Sequence, residues 1–407
     1  MIPAVFLLVY LGMALGRVPG LKIDRTGIAL FGVALLMAAG EVDVAGIGRA
    51  VDGPTLVLLF ALMILSSQFA GSGFYDLCAR RITLARASPT ALLGLTVAIA
   101  GGLSALLAND IVVFAMTPLL CRGLAARGLD PRPFLVGLAG GSNAGSAATV
   151  IGNPQNILIG QVGGLDFWKF LAVCGVPALL AMGLVFVAVR LAWREALAAP
   201  AIQPDPAGPI PLNRWQTAKG VIATLLLIAL FTTPLPREVG ALALAALLLA
   251  SRRMASRDMI GAVDWHLLLL FACLFTVTAA FADTGLAQQG MDWLRAHGLL
   301  PGSLAVMAPL ALVLSNGIGN VPAVILILAV WPDAPEGTLY GLALLSTLAG
   351  NLLLVGSLAN LIVAERAQAS GVALSFADFA RAGVPMTLAS LALAALWLGL
   401  GGWMPFF

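Results

Sequence analysis

Polar residues interrupt two long apolar stretches of the sequence, at places where a membrane-spanning helix would be expected. One interruption is "VIGNPQNIL" at 150–158 and the other is "LVGSLANLI" at 354–362. Glycine lets the backbone leave helical geometry, proline removes an N–H donor, and asparagine can bond the groups that are released. At such a break, helix N-termini can hold an anion and freed oxygens can hold a cation. The candidate binding residues at the breaks are Gly152, Asn153, Pro154, Asn156, Gly356, Ser357 and Asn360.

Two other apolar stretches carry asparagine near their centres, in "LLANDI" at 106–111 and "VLSNGI" at 313–318. We expect each to be the tip of a helical hairpin, with Asn109 and Asn316 as the best single candidates for ligand contact. Asp110 is an intramembrane acid and therefore a candidate sodium ligand or proton carrier. Aspartate also favours a helix N-cap, so capping of the second arm is an equal alternative. The matching residue of the second tip is Gly317.

The composition is that of an integral membrane protein. Of the 407 residues, 60% are hydrophobic and 10% are charged, and the mean hydropathy is +1.01, far above that of soluble domains. Apolar runs of about 17–25 residues, the length that crosses a bilayer, recur along the chain. Two histidines and the lack of a GxxxxGK[ST] loop exclude a histidine metal centre and ATP hydrolysis. We expect a transporter and not an enzyme, with no nucleic-acid partner and no cofactor other than bound sodium ions.

Basic residues predict which loops lie in the cytoplasm, because Lys and Arg are retained on that side. Arg17, Lys22 and Arg25 follow the first apolar run, which places the N-terminus outside. Basic residues flank 88–121 at both ends, so this stretch enters and leaves on one side as a re-entrant hairpin. The same reasoning places the C-terminus outside and predicts a multi-pass protein of a bacterial inner membrane.

The two halves of the sequence match at nearly constant spacing. "FAGSGF" at 69–74 aligns with "FADTGL" at 281–286, the two polar breaks align, and "GVP" at 175–177 aligns with "GVP" at 383–385. An odd number of crossings in each half inverts the second copy, which indicates a secondary transporter with its site between the repeats. The predicted fold is an all-α integral membrane protein of the inverted-repeat transporter type.

The predicted repeats span 1–194 and 215–407, joined by a cytoplasmic linker at 195–214 that is rich in Pro and Ala. Each repeat is predicted to hold five transmembrane helices and one re-entrant hairpin, and one of its helices is unwound at the centre. The hairpins are predicted at about 88–121 and 300–330, and the unwound helices, the fifth and tenth, at about 133–162 and 338–364.

The motifs resemble those of the ion transporter superfamily, which includes divalent anion/sodium symporters, citrate carriers, arsenite permeases and some sodium/proton antiporters. "GSAATVIGNPQN" is similar to the unwound-helix motif of the anion symporters, and "LSNGI" is similar to their Ser-Asn-Thr tips. "LLANDIVVFAMTP" resembles the arsenite permease branch as much or more. The resemblance covers nearly the whole chain. It implies a homodimer whose transport domain moves against a scaffold in an elevator mechanism.

In the symporter branch, the resemblance implies two sodium sites, each built from a tip asparagine and carbonyls of the opposed unwound helix. By position, one site would use Asn109 with Gly152 and the other Asn316 with Gly356. The Ser-Asn-Thr tips read Ala-Asn-Asp and Ser-Asn-Gly here, which removes both threonine hydroxyls and adds a charge. The implied sodium ligands are Asn109, Asp110, Gly152, Ser315, Asn316 and Gly356. The substrate would meet Asn109, Asp110, Asn153, Pro154, Asn156, Asn316, Gly317, Ser357 and Asn360.

The sequence therefore predicts an ion-coupled secondary transporter that moves a small anion or oxyanion together with sodium or protons. The first alternative is an arsenite or antimonite efflux permease. Neutral arsenous acid needs hydroxyl and amide partners, and the candidate site contains no Lys or Arg. The second alternative is a sodium/proton antiporter with Asp110 as the exchanging acid. A channel would need a continuous wet path, and the paired, reversed breaks favour alternating access instead.

Overall fold

A computed structural model describes residues 1–16, 20–200, 202 and 212–407. Arg17 and half of the predicted linker, residues 201 and 203–211, lie outside the described residues. The regular secondary structure of the described residues consists of α-helices and one short 3-10 turn, with no β-strand. The first helices are α1 (Ile2–Leu15), α2 (Arg25–Ala38), α3 (Val44–Ala50), α4 (Gly53–Gly71), α5 (Phe74–Thr83), α6 (Pro89–Ser104), α7 (Asn109–Ala125), α8 (Arg132–Ser146), α9 (Pro154–Val162), α10 (Phe167–Ala192) and α11 (Arg194–Leu197).

The helices after residue 212 follow a similar order of long and short elements. They are α12 (Arg214–Leu230), α13 (Arg237–Leu249), α14 (Ser256–Gly261), α15 (Trp265–Ala282), α16 (Leu286–Ala296), α17 (Leu304–Gly317), α18 (Asn320–Val330), α19 (Glu336–Ala349), α20 (Leu358–Ala369) and α21 (Phe376–Leu400). The prediction of an all-α protein is confirmed for the described residues.

Four helices are long and apolar enough to cross a membrane by length and composition: α4, α10, α15 and α21. The shorter apolar helices include both arms of each predicted hairpin except α7. Large apolar side chains such as Leu179 of α10 and Leu225 of α12 are exposed on the surface. Such surfaces suit contact with lipid acyl chains, because a bilayer interior offers no polar partner.

Both predicted hairpins are pairs of helices joined by a short tip. In the first pair, α6 ends at Ser104 and α7 begins at Asn109. In the second, α17 ends at Gly317 and α18 begins at Asn320. The sequence alignment set Asn316 opposite Asn109, but Asn316 lies in the last turn of the first arm, whereas Asn109 opens the second arm. The residue in the corresponding place is Asn320, because "GN" at 319–320 and not "SN" at 315–316 begins the second arm.

Both stretches predicted as unwound helices are non-helical at their centres. In the first, α8 ends at Ser146 and α9 begins at Pro154. In the second, α19 ends at Ala349 and α20 begins at Leu358, with the 3-10 turn Leu354–Gly356 between them. The polar residues identified in the sequence lie in these gaps and in the first turns of α9 and α20.

Small residues bring the first hairpin close to α8. A Cβ added at Gly145 of α8 would overlap the carbonyl oxygen of Gly101 in α6, and one added at Gly141 would lie 3.0 Å from the carbonyl oxygen of Val97. Glycine at both positions lets the two backbones touch. The tip of the hairpin is thereby held beside the gap that follows α8.

Candidate functional site

A cavity of about 660 Å³ lies where the N-terminal ends of four helices meet. Two of these helices, α7 and α18, are the second arms of the hairpins, and the other two, α9 and α20, follow the non-helical gaps. The cavity is lined at these ends by Asn109, Asp110, Pro154, Gln155, Asn320, Ser357 and Leu358. Because a helix N-terminus carries unpaired N–H groups and about half a positive charge, the arrangement favours a negatively charged or oxygen-rich ligand.

Three asparagines at the hairpin tips present oxygen atoms that are buried and accept no hydrogen bond from the described residues. They are the Oδ1 atoms of Asn109, Asn316 and Asn320. A buried amide oxygen without a donor costs about 1–3 kcal/mol, so each is suited to a cation or a donor group. Asn316 is held in place by its Nδ2, which donates to the carbonyls of Leu312 and Ala349 at 2.9 Å each.

The glycines of the two gaps allow close contacts that a side chain would prevent. A Cβ added at Gly356 would overlap Oδ1 of Asn316 and would lie 2.8 Å from the carbonyl oxygen of Gly350. A Cβ added at Gly152 would overlap the carbonyl oxygen of Ser146. The structure therefore brings Asn316 and Gly356 together, whereas the atoms nearest to a Cβ on Gly152 belong to the backbone of Ser146 at the end of α8.

Asn156 and Asn360 secure the two gaps by the same hydrogen bonds. Nδ2 of Asn156 donates to the carbonyls of Ser146 at 3.3 Å and Thr149 at 3.1 Å. Nδ2 of Asn360 donates to the carbonyls of Gly350 at 2.8 Å and Leu353 at 3.1 Å. The donors and both pairs of acceptors are each 204 residues apart in the sequence. Both side chains are fully buried behind the cavity wall. They pair the carbonyls of Ser146 and Gly350, which the missing helical turns leave free, and add a second donor to those of Thr149 and Leu353, which also accept the N–H groups of Gly152 and Gly356.

A hydroxyl of the second half joins the gap of the first half. Oγ1 of Thr347 in α19 accepts hydrogen bonds from Asn153 and Gln155, both at 3.2 Å, and donates to Oδ1 of Asn156 at 3.3 Å. Asn153 also donates to Ser146 at 3.0 Å. The gap is thus tied to the helix that precedes the other gap.

The reverse connection is made by Asn143 of α8. Its Nδ2 donates to Oδ1 of Asn351 at 2.8 Å and to Oδ1 of Asn360 at 3.0 Å, and its Oδ1 accepts from Ser357 at 3.0 Å. Asn143 and Thr347 occupy matching positions, since they too are 204 residues apart. Each half therefore supplies one polar side chain that bonds the gap of the other half.

Sequence reasoning missed several polar residues of this network and cavity, among them Asn143, Gln155, Asn320, Thr347 and Asn351. Asn143 could have been found, because an asparagine inside the apolar run of α8 needs a partner. Asn320 lies four residues after Asn316, the residue that the sequence analysis selected. Thr347 is a single threonine in an apolar helix, and no motif in the sequence marks it. Among the predicted residues, Gly317 is exposed at the end of α17, and Ser315 donates to the carbonyl of Ser346 at 3.3 Å.

The charged residues of the cavity wall include an arginine that the sequence analysis left out of the site. The expectation that the site contains no Lys or Arg is wrong, because Arg25 lines the same cavity as Asp110. The guanidinium lies near the second hairpin tip, where a Cβ on Gly319 would be 3.7 Å from Nη1. Arg25 was missed because it was assigned to the cytoplasmic loop after the first helix.

Four carboxylates share the wall with Arg25, and two of them are helix caps. Asp24 accepts from the backbone N–H of Gly27 at 2.8 Å, and Asp264 accepts from that of Leu267 at 2.9 Å. Their negative charge is partly offset by the N-termini of α2 and α15. Asp110 and Glu365 are the other two carboxylates.

A family model described as the citrate transporter family matches residues 8–337 of the chain. The chain belongs to the citrate transporter family. The resemblance to the ion transporter superfamily is therefore confirmed. The matched residues of this citrate transporter family member contain both hairpins and the first gap, and the second gap follows them.

Relatives of this family member align with it over nearly the whole length of the chain. An uncharacterised transporter of Mycobacterium tuberculosis is 29% identical and covers 95% of each chain. The silicon efflux transporter LSI3 of Oryza sativa is 27% identical over 94% of each chain. The crystal structure of the YdaH transporter of Alcanivorax borkumensis has a TM-score of 0.61 at 17% identity, covering 98% of this chain and 97% of that chain, which shows a shared fold.

Membership of the citrate transporter family and the apolar helices together make this chain an integral membrane protein and a transporter. The polar cavity therefore lies within a protein that moves a solute. It borders the two gaps, whose backbone groups do not all form helical hydrogen bonds. The citrate transporter family thus gives a reason for the buried asparagines, since polar atoms at such depth are retained where they line a pathway.

Proposed function

We propose that the protein is an ion-coupled secondary active transporter that moves a small anion or oxyanion through the cavity described above. The observation that carries the proposal is the meeting of four helix N-termini, from two hairpins and two gaps, at one cavity. Asn143 and Ser357 add polar groups to its wall, and Arg25 adds a positive charge. An oxyanion of a few heavy atoms fits the volume and the partial positive charge of the helix ends.

The fold that we propose for this function is an inverted repeat with unwound fifth and tenth helices. The paired hydrogen bonds of Asn156 and Asn360, at a spacing of 204 residues, support it. Transport by an elevator mechanism in a homodimer, in a bacterial inner membrane with both termini outside, completes the proposal. The basic loops and the superfamily resemblance support these parts.

Coupling to a cation is supported by the unpaired tip oxygens. Oδ1 of Asn316 faces Gly356, as expected of a sodium ligand beside backbone carbonyls, and we propose a sodium site there with Ser315. The second site would use Asn109, Asp110 and Gly152, with Asp110 carrying either sodium or a proton. Amide, hydroxyl and carboxylate oxygens are the ligands that hard cations prefer.

Specific observations also favour two alternative transport functions. Efflux of arsenite or antimonite, or of another small hydroxylated acid, is favoured by the amide and hydroxyl groups of Asn143, Gln155, Asn320 and Ser357, and by a relative named as a silicon efflux transporter. Sodium/proton antiport is favoured by Asp110, whose carboxylate forms no ion pair with the described residues.

A binding screen on the purified protein tests the proposal. We would measure melting temperature with sulfate, phosphate, di- and tricarboxylates and arsenite, each with and without sodium. Because a ligand of the native state stabilises it by mass action, a true substrate at 100 times its dissociation constant should add about 2.7 kcal/mol. Hits are then followed as uptake into proteoliposomes under a sodium or proton gradient. Stabilisation by sodium but by none of these anions or acids would contradict anion transport and favour the antiporter.

A further inference from the structure

A second cavity, of about 420 Å³, lies beside the main one between α4, α7, α9 and α20. Three residues line both cavities: Asp110, Pro154 and Asp264. The two spaces therefore meet at a partition that carries two carboxylates. The transport proposal uses only the main cavity and leaves the second one without a role.

The walls of the second cavity are strongly apolar away from this partition. The apolar residues include Leu59, Leu62, Met63, Phe114, Ile151 and Ile362. The lining contains no Lys, Arg or His among the described residues. Arg366 stacks on the ring of Phe114 at 3.8 Å from its centroid, but it does not line the space. An apolar chamber with acidic groups at one end has the chemistry of a site for an amphiphilic cation.

The carboxylate of Asp110 is free to act as the partner of such a cation. The structure records no hydrogen bond or ion pair for this side chain with any described residue, and Asp264 uses one oxygen to cap α15. A protonated amine at the partition would meet opposite charge, and an aromatic or alkyl body would bury its surface against the wall. The attraction between the opposite charges and the burial of apolar surface both favour binding, and the burial contributes about 25 cal/mol per Å².

We infer that the second cavity is a binding site for an amphiphilic organic amine, with its cationic end at Asp110 and Asp264 and its apolar body between α4 and α7. The site shares Asp110, Pro154 and Asp264 with the main cavity, and it differs in its apolar walls and in having no arginine among the described lining residues. It goes beyond the proposed transport function, and its test measures binding without transport.

The test compares 4-phenylbutylamine with its neutral analogue 4-phenylbutanol. Each is titrated by calorimetry into the full-length protein in phosphatidylcholine nanodiscs, and the signal of empty nanodiscs is subtracted. We expect saturable binding of one amine per chain, with the alcohol about tenfold weaker because it lacks the charge. Equal affinities would overturn the proposal, because the cavity would then accept any apolar chain, and so would binding no greater than that of empty nanodiscs.

Variants locate the site. Asp110→Asn should weaken the amine about tenfold and leave the alcohol unchanged, so retained alcohol binding reports a folded protein. Ala115→Leu adds bulk at a residue that lines only the second cavity and should weaken both probes. Asn320→Ala, which alters only the main cavity, should change neither. Unchanged amine affinity in Ala115→Leu, or a loss in Asn320→Ala that Ala115→Leu does not show, would place the amine in the main cavity and overturn the proposal.

Discussion

The two gaps carry the same hydrogen bonds, whereas the two hairpin tips carry different side chains. In both gaps an asparagine amide holds two carbonyls, at positions separated by 204 residues. The first tip presents Asn109 and Asp110, and its N–H at Ala108 donates to Ser66 at 3.1 Å. The second tip has Gly319 and Asn320, with the Arg25 guanidinium nearby.

The difference between the gaps and the tips indicates that they have different roles. The repeated bonds of Asn156 and Asn360 keep a released backbone in one conformation, which any solute would require. The side chains of the tips are not repeated: the first tip carries the acid Asp110, whereas the second has the guanidinium of Arg25, from α2, beside it. We expect the shared part to control stability and the unshared part to control which solute and which ion bind.

The largest expected effect is that of Asp110→Asn, which removes the charge that distinguishes the tips. If Asp110 carries the coupling ion, gradient-driven transport in proteoliposomes should fall about a hundredfold, equivalent to about 2.7 kcal/mol, while substrate exchange persists. The matched control is Asp292→Asn on α16, an exposed carboxylate paired with Arg295 at 2.9 Å. The Asp110 side chain makes no cap hydrogen bond to α7, whose N-cap is Ala108. Unaltered sodium and pH dependence in Asp110→Asn would show that this carboxylate does not carry the coupling ion.

Asn156→Ala and Asn360→Ala should destabilise the protein by similar amounts. Each variant leaves one buried carbonyl without a donor, that of Ser146 or of Gly350, at a cost of about 1–3 kcal/mol. The second carbonyl in each gap, that of Thr149 or Leu353, keeps a backbone N–H donor. Melting temperatures in detergent measure the comparison, and the control is Asn213→Ala, which removes a helix cap outside both gaps. A large loss in one variant and none in the other would mean that the two gaps are not equivalent.

Asn109→Ala and Asn320→Ala should each weaken substrate affinity about tenfold, because each loses about one hydrogen bond to a charged group. Asn316→Ala should act mainly on the concentration of sodium needed for half-maximal stabilisation, since its oxygen faces Gly356 and not the cavity. Thermal-shift titrations with substrate and with sodium separate the two effects. Full substrate affinity in Asn320→Ala would show that Asn320 does not contact the substrate and would favour Asn316 as the substrate contact at the second tip.

Gly152→Ala and Gly356→Ala differ in what the added methyl group meets. At Gly152 it overlaps three backbone atoms of Ser146, whereas at Gly356 it overlaps the side-chain oxygen of Asn316 and lies 2.8 Å from one backbone atom, the carbonyl oxygen of Gly350. We expect Gly152→Ala to be less stable by about 1 kcal/mol than Gly356→Ala, within the usual range of overpacking. Only Gly356→Ala should weaken the response to sodium. Equal responses in both variants would separate Gly356 from the sodium site.

Local composition predicted the helical class and the positions of the non-helical segments between α8 and α9 and between α19 and α20, because Gly, Pro and Asn together inside an apolar run disfavour a continuous helix. It failed where the decisive contact joins distant parts of the chain. Thr347 in an apolar helix looks like a packing residue until Asn153 and Gln155 meet it. Asn320 was passed over because a match of residue types does not report where a helix begins. Arg25 was attributed to loop charge, which concealed its place in the cavity.

Asn143 and Thr347 tie each gap to the helix that leads into the other. Because neither gap can shift without breaking bonds to its counterpart, the two gaps should travel together when the transporter changes state. Paired spin labels on α9 and α20 would then keep one separation throughout the cycle, while the separation of either label from α2 would change. The gaps would then offer the solute the same contacts throughout the cycle, whereas contacts from α2, such as that of Arg25, would change.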